Sequence, residues 1–146
     1  MTSKGSMPAG TDALVETEII DQHRFIEEWL GGTVPRSAQH YAAFVERHTP
    51  GFVLHGPGGD AVRRDALMAD LEKAHGAVPG LAIEIRGVRV LEEAGDLIAA
   101  VYEEHQQSPA ETSARRSTVL FVRDEAAPNG LLWRHLHETW IAPGTA

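Results

Sequence analysis

The chain has 146 residues, a formal net charge of −8, 42% hydrophobic residues and no cysteine. That length supports one core, and the missing thiols exclude disulfides, thiolate metal sites and cysteine nucleophiles. The acidic balance argues against nucleic-acid and anionic-membrane partners, which need concentrated Lys and Arg.

Residues 1–11, with Gly5, Pro8 and Gly10, predict a flexible arm. Thr11 or Asp12 is placed to cap a helix in which Val15, Ile19, Gln22/His23, Ile26 and Trp29/Leu30 recur at helical spacing. Gly31-Gly32 ends it. A second, shorter helix opens near Pro35, with Tyr41, Phe44, Val45 and His48 on one stripe, and closes at Pro50-Gly51. Gly51–His55 reads as a short strand stopped by Gly56-Pro-Gly-Gly59, and Asp60 is placed to cap a third helix ending at Gly76. Four extended segments follow: Leu81–Leu91, Leu97–His105, Arg116–Arg123 and Leu131–Ile141. The first changes parity at Gly87, which predicts a β-bulge. Residues 12–142 thus form one expected domain, and 143–146 a tail. No apolar run reaches transmembrane length and the first residues lack a signal-like apolar stretch, so a cytoplasmic place is expected. Arginine outnumbers lysine eleven to two, as in GC-rich bacterial coding.

Both parities of the last two strands carry apolar groups, so both faces of the sheet need cover. The helices can cover one. A second copy of the sheet is the economical cover for the other, which predicts a homodimer through the outer sheet face.

Helices around a short strand, the Gly/Pro turn, a further helix and a four-strand meander ending in Trp133-Arg-His-Leu-His-Glu-Thr-Trp140 resemble the nuclear transport factor 2-like superfamily. That group includes ketosteroid isomerase, the SnoaL polyketide cyclases, kinase association domains and small bacterial proteins. The resemblance spans residues 13–142 and is carried best by Trp133, His137 and Thr139 on the last strand. It implies an α+β cone: a curved antiparallel sheet, one short strand plus four long ones, wrapped around three N-terminal helices and a central pocket. It marks the fold, not the activity. The isomerase-type residues do not match. Phe25 stands where a hydrogen-bonding tyrosine would be, Gly56 (with His55 before it) where the base aspartate would be, and Thr118 near the second acid. Where kinase association domains line their pocket with arginines, this chain offers Arg116 and Arg134 at other positions.

Strand alternation places Arg134, Leu136, Glu138 and Trp140 on one side of the last strand, and Trp133, His135, His137 and Thr139 on the other. By the resemblance the first set faces the cone. Arg116, Thr118, Leu120 and Val122 are expected there too, as are Val101, Glu103 and His105. Phe25, Trp29, Leu120, Leu136 and Trp140 would then wall a pocket, with Arg116, Thr118, Arg134, Glu138 and Glu103 or His105 as polar points, for a small, largely apolar ligand carrying one polar or anionic group. Alternatively, Arg134–Glu138 and Arg116–Glu103 are plain cross-strand ion pairs, worth about 0.2–1 kcal/mol each.

His135 and His137 point the same way and form the sharpest metal-like pattern, with His105 or His55 as possible third ligands. Their place beside Trp133, on a face expected to meet a partner, favours interface histidines, so neither metal nor cofactor is expected. His55, Glu103 and Glu138 remain as candidate acid–base groups for an isomerase-, cyclase- or hydrolase-like enzyme. A non-catalytic assembly module is the third reading. No P-loop, nucleophile elbow or Rossmann fingerprint is present.

Overall fold

A computed structural model describes residues 10–142. Most of the expected arm, residues 1–9, and the tail 143–146 lie outside the described residues. Helix α1 (Thr11–Gly31) buries Val15, Ile19, Phe25 and Trp29 along one stripe, which is what its apolar spacing demands. Its N-cap is Gly10, not Thr11 or Asp12, and no side chain caps it. Thr11 is instead drawn to the sheet, donating to Glu93 at 2.9 Å and accepting from Arg123 at 3.2 Å. Gly32 ends the helix at φ 72 and lies so close to Gly76 that a Cβ on it would meet the Gly76 Cα at 3.1 Å.

Helix α2 (Ala38–Val45) is capped by Ser37, whose Oγ accepts from the His40 N–H. Strand β1 (His48–His55) starts three residues before the expected Gly51. Asp60 caps no helix. The turn after β1 leads into a three-residue strand, β2 (Ala61–Arg63), which pairs antiparallel with β1, and α3 (Arg64–Lys73) follows. The long strands are β3 (Ala82–Ala94), β4 (Leu97–Gln107), β5 (Thr112–Arg123) and β6 (Leu131–Trp140).

These strands form one six-stranded sheet in the order β2-β1-β6-β5-β4-β3, with β1 parallel to β6 and all other pairs antiparallel. The expected bulge is present: register shifts between Arg86 and Arg89, and Gly87 has φ 63. The α+β cone is thus the architecture, with a second very short strand added at the β1 edge. No described helix is long and apolar enough to cross a membrane.

The core is in two parts. Val15 and Ile19 of α1 pack against Ile98, Ala100, Tyr102, Val119, Phe121 and Trp133 on the sheet. Farther along α1, Phe25 and Trp29 pack with Tyr41, Phe44 and Met68 of α2 and α3. At the seam lies a wholly buried carboxylate, Glu18. It accepts from Arg47 at 2.6 Å, from the Trp133 indole N–H at 2.9 Å and from Asn129 at 2.9 Å.

Candidate functional site

Alternation along a strand decides which side chains can reach the space between sheet and helices. On β4 the buried set is Ile98, Ala100, Tyr102 and Glu104; on β5 it is Ser117, Val119 and Phe121, with Arg115 on the same side. On β6 both Trp133 and the pair Leu136 and Glu138 are buried, although they differ in parity. A bulge reconciles them. Trp133 pairs with Phe121 and His135 with Leu120, so Arg134 is one extra residue that flips the strand's facing.

The inner groups enclose a cavity of about 190 Å³. Its apolar wall includes Ile26 and Leu30 of α1, Leu67 and Leu71 of α3, and Phe52 and Leu54 of β1. Its polar wall is built from Gln22, His23, His48, Glu104, Arg115 and Glu138. His23 donates through Nδ1 to the Ile19 carbonyl at 2.7 Å and through Nε2 to Glu104 at 3.1 Å. Gln106 also donates to Glu104. Arg115 donates to Glu138 at 3.2 Å and lays its guanidinium over the Trp140 ring at 4.9 Å.

Burial sets the electrostatics. It opposes charge on both His23 and Glu104, but their mutual attraction and hydrogen bond prevail: His23 is raised, and Glu104 is lowered to about 2. Their pairing thus favours the charged form of each. Glu138 is pushed up by burial and by the charge of Glu104, against the pull of Arg115. Burial pushes His48 down to about 4, against its hydrogen bonds to the Val45 and Phe44 carbonyls. Neutral His48 therefore donates through Nδ1 to Phe44 at 3.1 Å and accepts from Gln22 Nε2 at 2.7 Å. That leaves Gln22 Oε1 buried without a partner, as is Arg115 Nε. Two residues of the cavity wall thus carry one unused acceptor and one unused donor.

His48 gives a pH signature. Its native pKa is about 4 and its unfolded value 6.5, so its contribution to stability is complete above pH 6.5 and is lost as pH falls toward 4. The loss should reach roughly 3 kcal/mol. In urea titrations across this range, His48→Gln should flatten the slope of stability against pH relative to the parent. An unchanged slope would count against a neutral buried His48.

Most of the expected pocket lies elsewhere. Arg116, Thr118 and Leu120 pair with Thr139, His137 and His135 on the outer sheet face, and Glu103 and His105 of β4, paired with Arg116 and Ala114, lie on the same face. Arg116 and Glu103 form an exposed pair at 3.7 Å, and His105 donates to Glu103 at 2.9 Å. Arg134 does not pair with Glu138. It is exposed and donates to the Gly51 carbonyl at 2.9 Å. Phe25 and Trp29 sit in the helical core, Phe25 stacked on Phe44 at 4.3 Å and the Trp29 indole donating to the Leu71 carbonyl at 2.8 Å. Trp140 is 54% exposed. Of the ten expected binding residues, only Leu136 and Glu138 line the cavity. The candidate acid–base group His55 lies on the outer face with His135 and His137, at ring separations of 5.1 and 5.4 Å. Among the described residues, no group of three or more His, Asp or Glu side chains is placed to hold a metal ion.

Sequence reasoning missed Gln22, His23, His48, Glu104 and Arg115. The available signal was a polar pair, Gln22-His23, inside the apolar stripe of α1. A helix stripe facing a core carries polar groups only where they find partners.

Among solved structures the chain is similar to an NTF-2-like protein of unknown function from Pseudomonas aeruginosa. The two are 33% identical over 88% of this chain and 99% of the other, with a TM-score of 0.81. The chain belongs to the nuclear transport factor 2-like superfamily. It also shares this fold with the calcium/calmodulin-dependent kinase II hub of S. rosetta, at 15% identity, 92% and 100% coverage and a TM-score of 0.70. ActVI-ORFA of Streptomyces coelicolor is similar at 17% identity, 86% and 96% coverage and a TM-score of 0.57. No family model matches the chain, and no curated protein matches it in sequence. Superfamily membership accounts for the curled sheet and the space beneath it, while the polar wall is argued from this chain's own residues.

Proposed function

We propose that this protein binds a small, largely apolar molecule in the cavity between α1 and the sheet, and does so as a homodimer. The observation that carries the reading is a cavity with an apolar wall and a polar one, and two residues of the polar wall, Gln22 and Arg115, each also carry a buried polar atom without a partner. Buried polar atoms are nearly always satisfied, so two cavity-lining residues with a spare polar atom each favour a ligand carrying one donor and one acceptor that their side chains turn to meet. Size points the same way. A cavity of roughly 150 Å³ suffices for benzene, and this one measures about 190 Å³. A ligand of benzene size with one amide- or acid-like end fits both observations.

The dimer reading rests on the outer face. Leu97, 47% exposed, lies there with half-buried Val101, Leu120, Val122 and Leu132, and the helices pack on the opposite side. A contiguous apolar sheet face of this kind calls for a partner.

Ligand-observed NMR with benzamide and benzoate tests the cavity. Saturable binding is expected for at least one probe, with loss in Leu30→Trp, which fills the cavity, and at least tenfold weakening in Gln22→Leu. No saturable binding, or full binding by Leu30→Trp, would overturn the reading. One observation favours an enzyme of acid–base type as a second reading: Glu138 faces the cavity with its proton affinity raised by burial and by Glu104. That reading requires Glu138→Gln to retain probe binding while losing turnover of any substrate found.

A further inference from the structure

We infer that the outer face is a self-association surface released by protons, with His55, His135 and His137 holding two copies together only while their rings are neutral. The inference rests on the dimer proposed above. The three imidazoles meet on the outer face, His55 from β1 and the other two from β6, with ring centroids 5.1 and 5.4 Å apart. His23, His48, His75 and His105 each use a ring nitrogen on a carbonyl or carboxylate. Among the described residues, these three have ring contacts with one another and no hydrogen-bond or ion-pair partner.

Register ties the cluster to the apolar band. His135 lies beside Leu120 and then Ala99; His137 lies beside Thr118 and then Val101. A partner that covers Leu120, Val101 and Leu97 therefore covers these histidines as well. Strands β3 to β6, ten to thirteen residues long, present a face of about 19 by 36 Å, or roughly 700 Å². A stable interface buries about 800 Å² per partner, so a second copy fits the available area. The face also carries both signs, Arg89 and Arg116 with Glu92 and Glu103, and can meet itself without net repulsion.

Charged groups from every neighbouring strand border the cluster. Arg134 immediately precedes His135 on β6, Arg63 flanks Val53 from β2, and Asp60 lies in the β1–β2 turn. Beyond Thr118, Arg116 and His105 both occupy Glu103, while Arg89 and Glu92 lie at the β3 edge. Partial burial lowers His135 below its ordinary value, and the charges of His55, His137 and Arg134 lower it further. Covering the face removes water from all three rings, so bringing two copies together expels protons.

Sedimentation velocity at pH 8 and pH 5.5 tests this, on the parent and on His55→Gln/His135→Gln/His137→Gln. If one imidazole per protomer must lose its proton, acidification to pH 5.5 should raise the dimer dissociation constant about a hundredfold. The triple variant should change less than threefold, and the exposed His137→Gln alone should remove part of the effect. A parent dimer equally tight at both pH values would overturn the release by protons and leave the dimer standing. A parent that is monomeric at pH 8 and micromolar concentration would overturn both. Both proteins share the interior His48, so equal weakening in acid would assign the effect to the fold and overturn the role of the outer histidines.

Discussion

Glu18→Ala should lower folding stability by about 3–5 kcal/mol, the cost of removing one partner from a buried ion pair. The carboxylate is wholly buried, receives both close contacts from Arg47, and accepts from Trp133 and Asn129. Alanine leaves the largely buried Arg47 guanidinium and the buried Trp133 indole N–H without their acceptor. Those two groups fix the end of α2 and the start of β6 against α1, so the loss reaches the whole junction. Glu18→Gln keeps the shape but sets an amide against three donors, and should fall between parent and alanine. Urea denaturation with both variants measures this. A loss under 1 kcal/mol for alanine would show that the seam is wet or slack.

The second large effect concerns the pair on the cavity wall. Glu104→Leu removes the counter-charge of buried His23 and should also cost about 3–5 kcal/mol. His23→Leu combined with Glu104→Leu should recover most of that loss, because two apolar groups have no desolvation penalty to offset. The cycle would then show a coupling of about 2 kcal/mol or more. Additive losses would mean that the two charges do not depend on each other.

The pH dependence supplies an independent check. Glu104, lowered to about 2, contributes stability above its unfolded 4.5 and loses it as pH falls toward 2. His23, raised, contributes fully below 6.5 and loses its contribution as pH rises through its native value. The pair therefore helps most between these limits, and the double variant should lose that maximum. If stability survives the double replacement while probe binding does not, the pair is kept for the cavity's chemistry.

These residues also show how far the chain could be read in advance. Glu103-Glu104 and Arg115-Arg116 are doublets on alternating strands, so one member of each must face in and the other out. Nothing local distinguishes them, because apolar residues occupy both parities: Ile98 and Tyr102 on one side of β4, Leu97 and Val101 on the other. The inward members are Glu104 and Arg115, the opposite of the expectation from the resemblance. On β6 strict alternation takes no account of the extra residue at Arg134 and so separates Trp133 from Leu136 and Glu138, although all three face in. Glycine marks the β3 bulge at Gly87 in the sequence, whereas the β6 bulge sits at an arginine with no such marker.

Length, charge and the absence of cysteine, together with apolar spacing and turn residues, determined the order of helices and strands, the long meander and a sheet apolar on both faces. Resemblance then placed those elements in the cone. Those properties are local or additive, so a linear chain displays them. Which face turns inward is a one-residue question, settled only when β4, β5 and β6 pair in register and α1 packs across them. That packing joins Gln22 to His48, His23 to Glu104, and Glu18 to Arg47 and Trp133, across sequence gaps from 26 to 115 residues. Burial and pairing, not spacing, shifted the proton affinities of His23, His48 and Glu104.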